Sequence, residues 1–330
     1  MSEVVATAAP RFSPGRRIAV VWLVAAVMAG LLLCYGNQLP FGSTGFWIIV
    51  KSRLVTVGTI LVVACAQAVA TVVFHTITGN RILTPSIMGF DALYRVLQTS
   101  LVFFLGGAAL AETDGLAKVV VQSVLMVAFA TLLYGFLLGR KGNLHIMLLI
   151  GVVLGTGLTA LSTFMQRMLT PSEFDLLTAR LLGSLANSNA EYLPWAGMVC
   201  GLVTVVLWVR SSRLDVVALG RDTAVNLGIR YQREVIGNLI LVAVLISVSA
   251  SLVGPMTFFG FLVALLTYQV AGTYQHRYVL PLAAGLGAAT LFTAYFVLRH
   301  VFYAAGAITV IIEFAGGLLF LIMLLRKGLR

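Results

Sequence analysis

The chain has 330 residues, 60% of them hydrophobic and only 10% charged, with a formal net charge of +11 and a mean hydropathy of +1.02. A soluble globular domain carries roughly 25% charged residues, so this composition excludes one and describes an all-α polytopic membrane protein. The basic excess lies at the ends of apolar runs, where the positive-inside rule accounts for it, so nucleic acid is excluded as a partner.

Residues 1–17 are a polar tail with Arg11, Arg16 and Arg17 against the first apolar run, too polar for too long to be a signal peptide. Ten spans follow, predicted at about 18–35, 53–75, 92–110, 116–138, 144–164, 192–209, 235–253, 256–271, 278–298 and 304–325. They form a single transmembrane domain over 18–325, and 326–330 is a second tail. With both termini cytoplasmic, sixteen of the 22 Lys and Arg residues fall on the inner side, and that bias selects this orientation.

Three interruptions stand out. Residues 76–91, TITGNRILTPSIMGFD, are turn-rich yet partly apolar, as expected of backbone tucked into protein at membrane depth. Residues 165–191 contain FDLLTARLLGSL, which reads as an amphipathic helix at the interface. The longest is 210–234, RSSRLDVVALGRDTAVNLGIRYQRE. Its middle reads as a short helix striped by Ala218, Leu219, Ala224, Val225 and Leu227 and punctuated by Gly220 and Gly228. It is either a surface helix that docks on a partner or a solvated basic loop.

Chemistry-bearing motifs are sparse. The chain has no GxxxxGK[ST] loop, no HExxH, no EF-hand loop and no Cys–His set with metal spacing. Cys34, Cys65 and Cys200 all lie in apolar runs. His75, His145 and His276 fall near inner ends, where they read as interface histidines rather than ligands. No metal, cofactor or catalytic residue is expected on this chain, and any ATP and Mg would be bound by another subunit. Glu313 is the one acid well inside a span, with Gly316 and Gly317 one turn on. It is either a functional acid or a carboxyl packed against Arg299 or a free backbone N–H. Gln67 and Gln269 read as interhelical hydrogen-bond formers, and Gly151 with Gly155 as a close-contact pair.

Four stretches then carry a likeness: Arg53–Leu54 at the start of the second span, NRILTPSIMG at 80–89, LDVVALGRDTAVNLGI at 214–229, and VGPMTFFGFLV at 253–263 followed by GAITVIIEFAGGLLFLIMLLR at 306–326. Together they resemble the permeases of bacterial ABC importers for iron–siderophore complexes, the family that includes the vitamin B12 permease. The resemblance implies a B12-permease-like type II importer fold of about ten helices in the bacterial inner membrane. It implies a second, homologous permease encoded separately, two P-loop ATPases and an extracytoplasmic siderophore-binding protein. The transported substrate would be a ferric siderophore, with catecholates preferred.

On this reading the coupling segment is 214–230, with Ala218, Leu219, Gly220, Ala224, Leu227 and Gly228 meeting the ATPase. Glu112, Asp114, Arg167, Arg180 and Arg299 would touch the binding protein. Gln67, Gly155, Gly254, Gly260 and Glu313 would lie on the path or be buried polar groups. Departures from the family pattern, such as Arg81 after Asn80 and Glu313-Phe-Ala-Gly-Gly near the end, argue against vitamin B12. The competing readings are a stand-alone secondary transporter of a small polar solute, built on internal repeats, and a membrane enzyme or scaffold.

Overall fold

The computed structural model describes residues 13–37, 39–112, 116–139, 144–181, 191–302 and 308–328, and among these it is entirely helical. The helices are α1 (Pro14–Cys34), α2 (Thr44–Thr78), α3 (Phe90–Glu112), α4 (Leu116–Gly139), α5 (Leu144–Gln166), α6 (Pro171–Leu181), α7 (Leu193–Val209), α8 (Ser211–Val217), α9 (Arg221–Asn226), α10 (Tyr231–Val253), α11 (Phe259–Ala271), α12 (His276–His300) and α13 (Ile308–Gly328). All ten spans expected from the sequence are helices: α1 to α5, α7 and α10 to α13. Five have the length and apolarity of a crossing on their own within the described residues, and α7 with α8, bent by 62°, makes a sixth.

The axis of the bundle is α2. Ser43 caps it by accepting the Phe46 N–H at 3.1 Å, and Gly79 closes it in the left-handed region at φ 62°. At 35 residues it is about 52 Å long, well beyond the nine-residue-shorter start expected from hydropathy. The extra turns, Thr44–Ser52, include Lys51 and two aromatics, so an apolar window does not find them.

Around α2 stand α7, α10, α11 and α12. Lipid tails are as apolar as leucine, so such helices gain from close approach rather than from leaving water. Small residues provide that approach. A Cβ on Gly287 of α12 would lie 3.0 Å from the Ala64 carbonyl oxygen, and one on Gly260 of α11 would overlap the Thr71 hydroxyl of α2. Inside this core, Gln67 donates to the Ser249 hydroxyl of α10 at 3.1 Å, the interhelical bond its type suggests.

A second group pairs α3 with α5 and packs α6 against α3. The α3–α5 seam is polar. The Thr99 and Ser162 hydroxyls meet at 2.8 Å, Gln166 donates to both, and Gln98 donates to Gln122 of α4 at 2.6 Å. α3 is broken at Gly106, whose φ of 79° and ψ of 167° leave the helical region. Glu173 serves that break. It closes a capping box at the start of α6, accepting from the Thr170 hydroxyl at 2.7 Å and the Thr170 amide at 3.1 Å, while its other oxygen accepts the Gly107 amide at 3.3 Å. Of the helix read within 165–191, the part through Leu181 is present as α6, and residues 182–190 lie outside those described.

Candidate functional site: coupling segment and mid-depth cleft

Two regions carry the geometry of function. The first is the turn between α7 and α10. Within the short helix expected at 218–228 only Arg221–Asn226 is helical, as α9, and α8 is a separate helix before it. Gly220, at φ 92°, breaks the chain between α8 and α9, and Gly228, at φ 84°, ends α9. The apolar stripe divides accordingly. Ala224 is fully buried, whereas Leu219, Val225 and Leu227 are 59%, 52% and 59% exposed. Ala218, Gly220 and Gly228 are exposed as well. Three large apolar side chains thus stand out on the tip of a polar segment.

This tip is tied into the bundle at four points. Glu234 in the first turn of α10 accepts from Arg210 at 2.5 Å and from Arg213 at 2.9 Å. Asp215 of α8 accepts the His276 backbone N–H at 2.8 Å and its ring Nδ1 lies 2.6 Å away. The His276 Nε2 is 2.6 Å from the Thr76 hydroxyl of α2. Finally, Pro281 inside α12 has no N–H for the Arg277 carbonyl, and the Trp208 indole N–H takes that carbonyl at 3.1 Å. The start of α12 is therefore held by α7 and α8, and through His276 by α2. His75 has its own partner, the Tyr268 hydroxyl at 3.3 Å, under the Arg81 guanidinium, so the two histidines do not share a ligand. The side chain of His145 lies outside the described residues.

The second region is where two broken segments meet. Residues 79–89 turn back into the protein and end in a single 3-10 turn at Ser86–Met88 pressed on α5. A Cβ on Gly89 would lie 3.3 Å from the Gly155 Cα, and one on Gly151 would lie 3.3 Å from the Met88 carbonyl oxygen. Gly155 is at the middle of the 23-residue α5, so this contact is at mid-depth. The small-residue pair thus serves the re-entrant turn rather than another span. The other segment runs from Gly254, at φ 87°, to Phe258, between α10 and α11. Its Thr257 donates to the Asp91 carboxylate at 2.8 Å, with Ser86 on the same carboxylate. Phe258 packs on Gly316 of α13, where a Cβ would come within 3.3 Å of its carbonyl oxygen.

A cleft of about 330 Å³ opens here, lined by Ser86, Gly89, Asp91, Arg95 and Thr257 together with Val152, Gly155, Thr156 and Thr159 of α5. Gly155 thus faces the cleft, and Gly254 opens the segment that supplies Thr257. Gly260 and Gln67 are in helix contacts with α2 and α10 and do not line it. Glu313 is half-buried on α13, and its charge reaches Asp91. Sequence reading gave no site role to Asp91, Arg95 or Thr257. The available signal was an acid and a base four residues apart inside a span.

On the other side, Arg167 and Arg299 are exposed and Arg180 is half-buried. The Glu112 side chain and Asp114 lie outside the described residues. Among the described residues no cluster of His, Cys, Asp and Glu could hold a metal ion.

The family model for the FecCD transport family matches residues 20–326, nearly the whole chain. The chain belongs to the FecCD transport family. Among curated relatives of this FecCD permease, the petrobactin import system permease protein FatC of Bacillus anthracis is 45% identical over 314 residues, covering 93% of this chain and 89% of that one. The corresponding protein YclO of Bacillus subtilis (strain 168) is 38% identical over 306 residues, covering 92% and 97%. An inward-facing metal-chelate type ABC transporter superposes with a TM-score of 0.82 over 94% of this chain and 99% of its own, at 22% identity, which shows a shared fold. This FecCD chain is therefore a multi-pass membrane permease of a siderophore-import family, and its work is transport rather than covalent chemistry.

Proposed function

We propose that this permease carries a ferric siderophore of the petrobactin type into the cytoplasm as one subunit of an ATP-driven importer. The observation that carries the reading is the 219–227 tip. Leu219, Val225 and Leu227 are exposed on a segment tied by Glu234 and Asp215 to the starts of α10 and α12. A partner that grips those side chains moves two core helices with them.

On this reading Ala218–Gly228 docks in a cleft of a P-loop ATPase, which binds the ATP and Mg. Both termini are cytoplasmic in the inner membrane, and a second, different permease completes the pair. Arg167, Arg180 and Arg299, with Glu112 and Asp114, face the binding protein that delivers the chelate. The bare side of α5 and the cleft at Asp91 form one wall of the path between the two permeases.

The test is affinity purification from mild-detergent membranes with mass spectrometry of the recovered proteins, alongside uptake of ferric petrobactin. Recovery of an ATPase and a second permease, lost when 218–228 is altered, supports the assembly. Recovery of this chain alone from cells that import the chelate without any ATPase overturns it in favour of a secondary transporter.

A further inference from the structure

The cleft at mid-depth has more chemistry than a passive wall needs. Arg95 is half-buried and lines it, one helical turn from Asp91. The Asp91 carboxylate is occupied by Thr257 and Ser86, and no ion pair closes between it and Arg95. Among the described residues the Arg95 guanidinium makes no hydrogen bond or ion pair. A guanidinium has five N–H donors in a planar fork and stays charged, so at this depth its donors call for acceptors.

The opposite wall adds hydroxyls. Thr156 and Thr159 line the cleft from α5, and Thr163 continues the line one turn on, each exposed apart from its bond to a carbonyl four residues back. A polar stripe on the unpacked side of a span is costly against lipid and is suited to a water-containing path.

We infer that Arg95, with Thr156 and Thr159, is a transit contact for the anionic oxygens of the passing chelate, its carboxylate or phenolate groups. The inference rests on the import reading above. The Thr156 and Thr159 hydroxyls that share the cleft are neutral, so Arg95 draws an anion in without a second cation to hold it, and the anion is also released, as a conducting site requires. Arg95 touches substrate in this scheme.

The experiment compares wild type, Arg95→Gln and Arg95→Lys in the complete importer reconstituted with its binding protein, following uptake of iron-labelled ferric petrobactin. The amount of assembled complex is measured in parallel. R95Q is expected to lower kcat/KM at least about tenfold, the loss of one charge-assisted contact pair, and R95K to recover part of it. Uptake by R95Q within twofold of wild type overturns the Arg95 contact while leaving the import reading standing. If the wild-type complex imports no ferric petrobactin, the import reading fails, and this inference with it.

Should R95Q fail to assemble, Thr156→Cys decides the matter in a chain whose native cysteines are replaced by alanine. Loaded binding protein with ATP is expected to slow its thiol labelling several-fold, and unchanged labelling overturns the site.

Discussion

Asp215 on α8 and His276 on α12, 61 residues apart, meet twice: the carboxylate oxygen that accepts the His276 amide at 2.8 Å also lies 2.6 Å from its ring Nδ1. One oxygen thus caps a core helix and holds the side chain that reaches α2 through Thr76. Asp215→Ala leaves that amide and ring without an acceptor, a cost of about 1–3 kcal/mol. We expect uptake to fall more steeply than the amount of assembled complex, with Asp215→Asn intermediate because it keeps an acceptor. Equal falls in both measurements would make the contact purely structural.

Leu219→Asp and Leu227→Asp place a charge on side chains that are each 59% exposed. The bundle does not need them, so insertion and thermal stability should stay within about 0.5 kcal/mol of wild type. Co-purification of the ATPase should be lost. Retained ATPase with normal uptake in both variants would remove the docking role of the tip.

Glu234 orders three substitutions. Arg213 is 61% exposed and its bond is mostly in water, so Arg213→Ala should cost at most about 1 kcal/mol. The Arg210 side chain is 31% exposed and makes the shorter bond, so Arg210→Ala should cost more, about 1–3 kcal/mol. Glu234→Ala strands both guanidinium groups beside a side chain site only 11% exposed and should cost most. Melting in detergent, with a double-mutant cycle for each pair, tests the order.

The Glu173 carboxyl is held below the ordinary Glu range, first by the Thr170 hydroxyl, then by the Thr170 and Gly107 amides. A depressed acid contributes its stabilisation above its unfolded pKa, about 4.3, and loses it as pH falls through the folded value. The link between α6 and the break in α3 should therefore be intact at neutral pH and loosen only once the pH falls below the ordinary Glu range. Hydrogen exchange at the Gly107 amide, corrected for the intrinsic rate, should show that loss in wild type and not in Glu173→Gln.

Span number and the re-entrant character of 76–91 were legible because hydrophobicity and turn residues are local properties. The short helix in the polar segment before α10 was legible for the same reason, but which of its apolar residues are buried was not. Ala224 and Leu227 look alike in a stripe, yet Ala224, inside α9, is buried and Leu227, just past its end, is 59% exposed. The cleft was hidden more deeply. Asp91 and Thr257 lie 166 residues apart, and nothing near either names the other. Gly260 misled in the opposite sense, since a glycine beside a helix break suits a path wall as well as the helix contact with Thr71 that it makes. Gly155 was read as one half of a helix-packing pair, and the turn at Gly89 is what occupies it.

α1 fully buries only Ala25 and Leu32, but it lies along α12, with Val21 and Trp22 against Gly285, and side-chain hydrogen bonds fasten it as well. Arg17 reaches the Val270 carbonyl and Trp22 the Pro281 carbonyl, while Arg53 of α2 gathers the carbonyls of Leu32, Leu33 and Tyr35 at its far end. Val270 is 253 residues downstream of Arg17. The ties of α1 to α11 and α12 therefore form only after those late helices are in place, whereas its tie to α2 needs only the next helix in the chain.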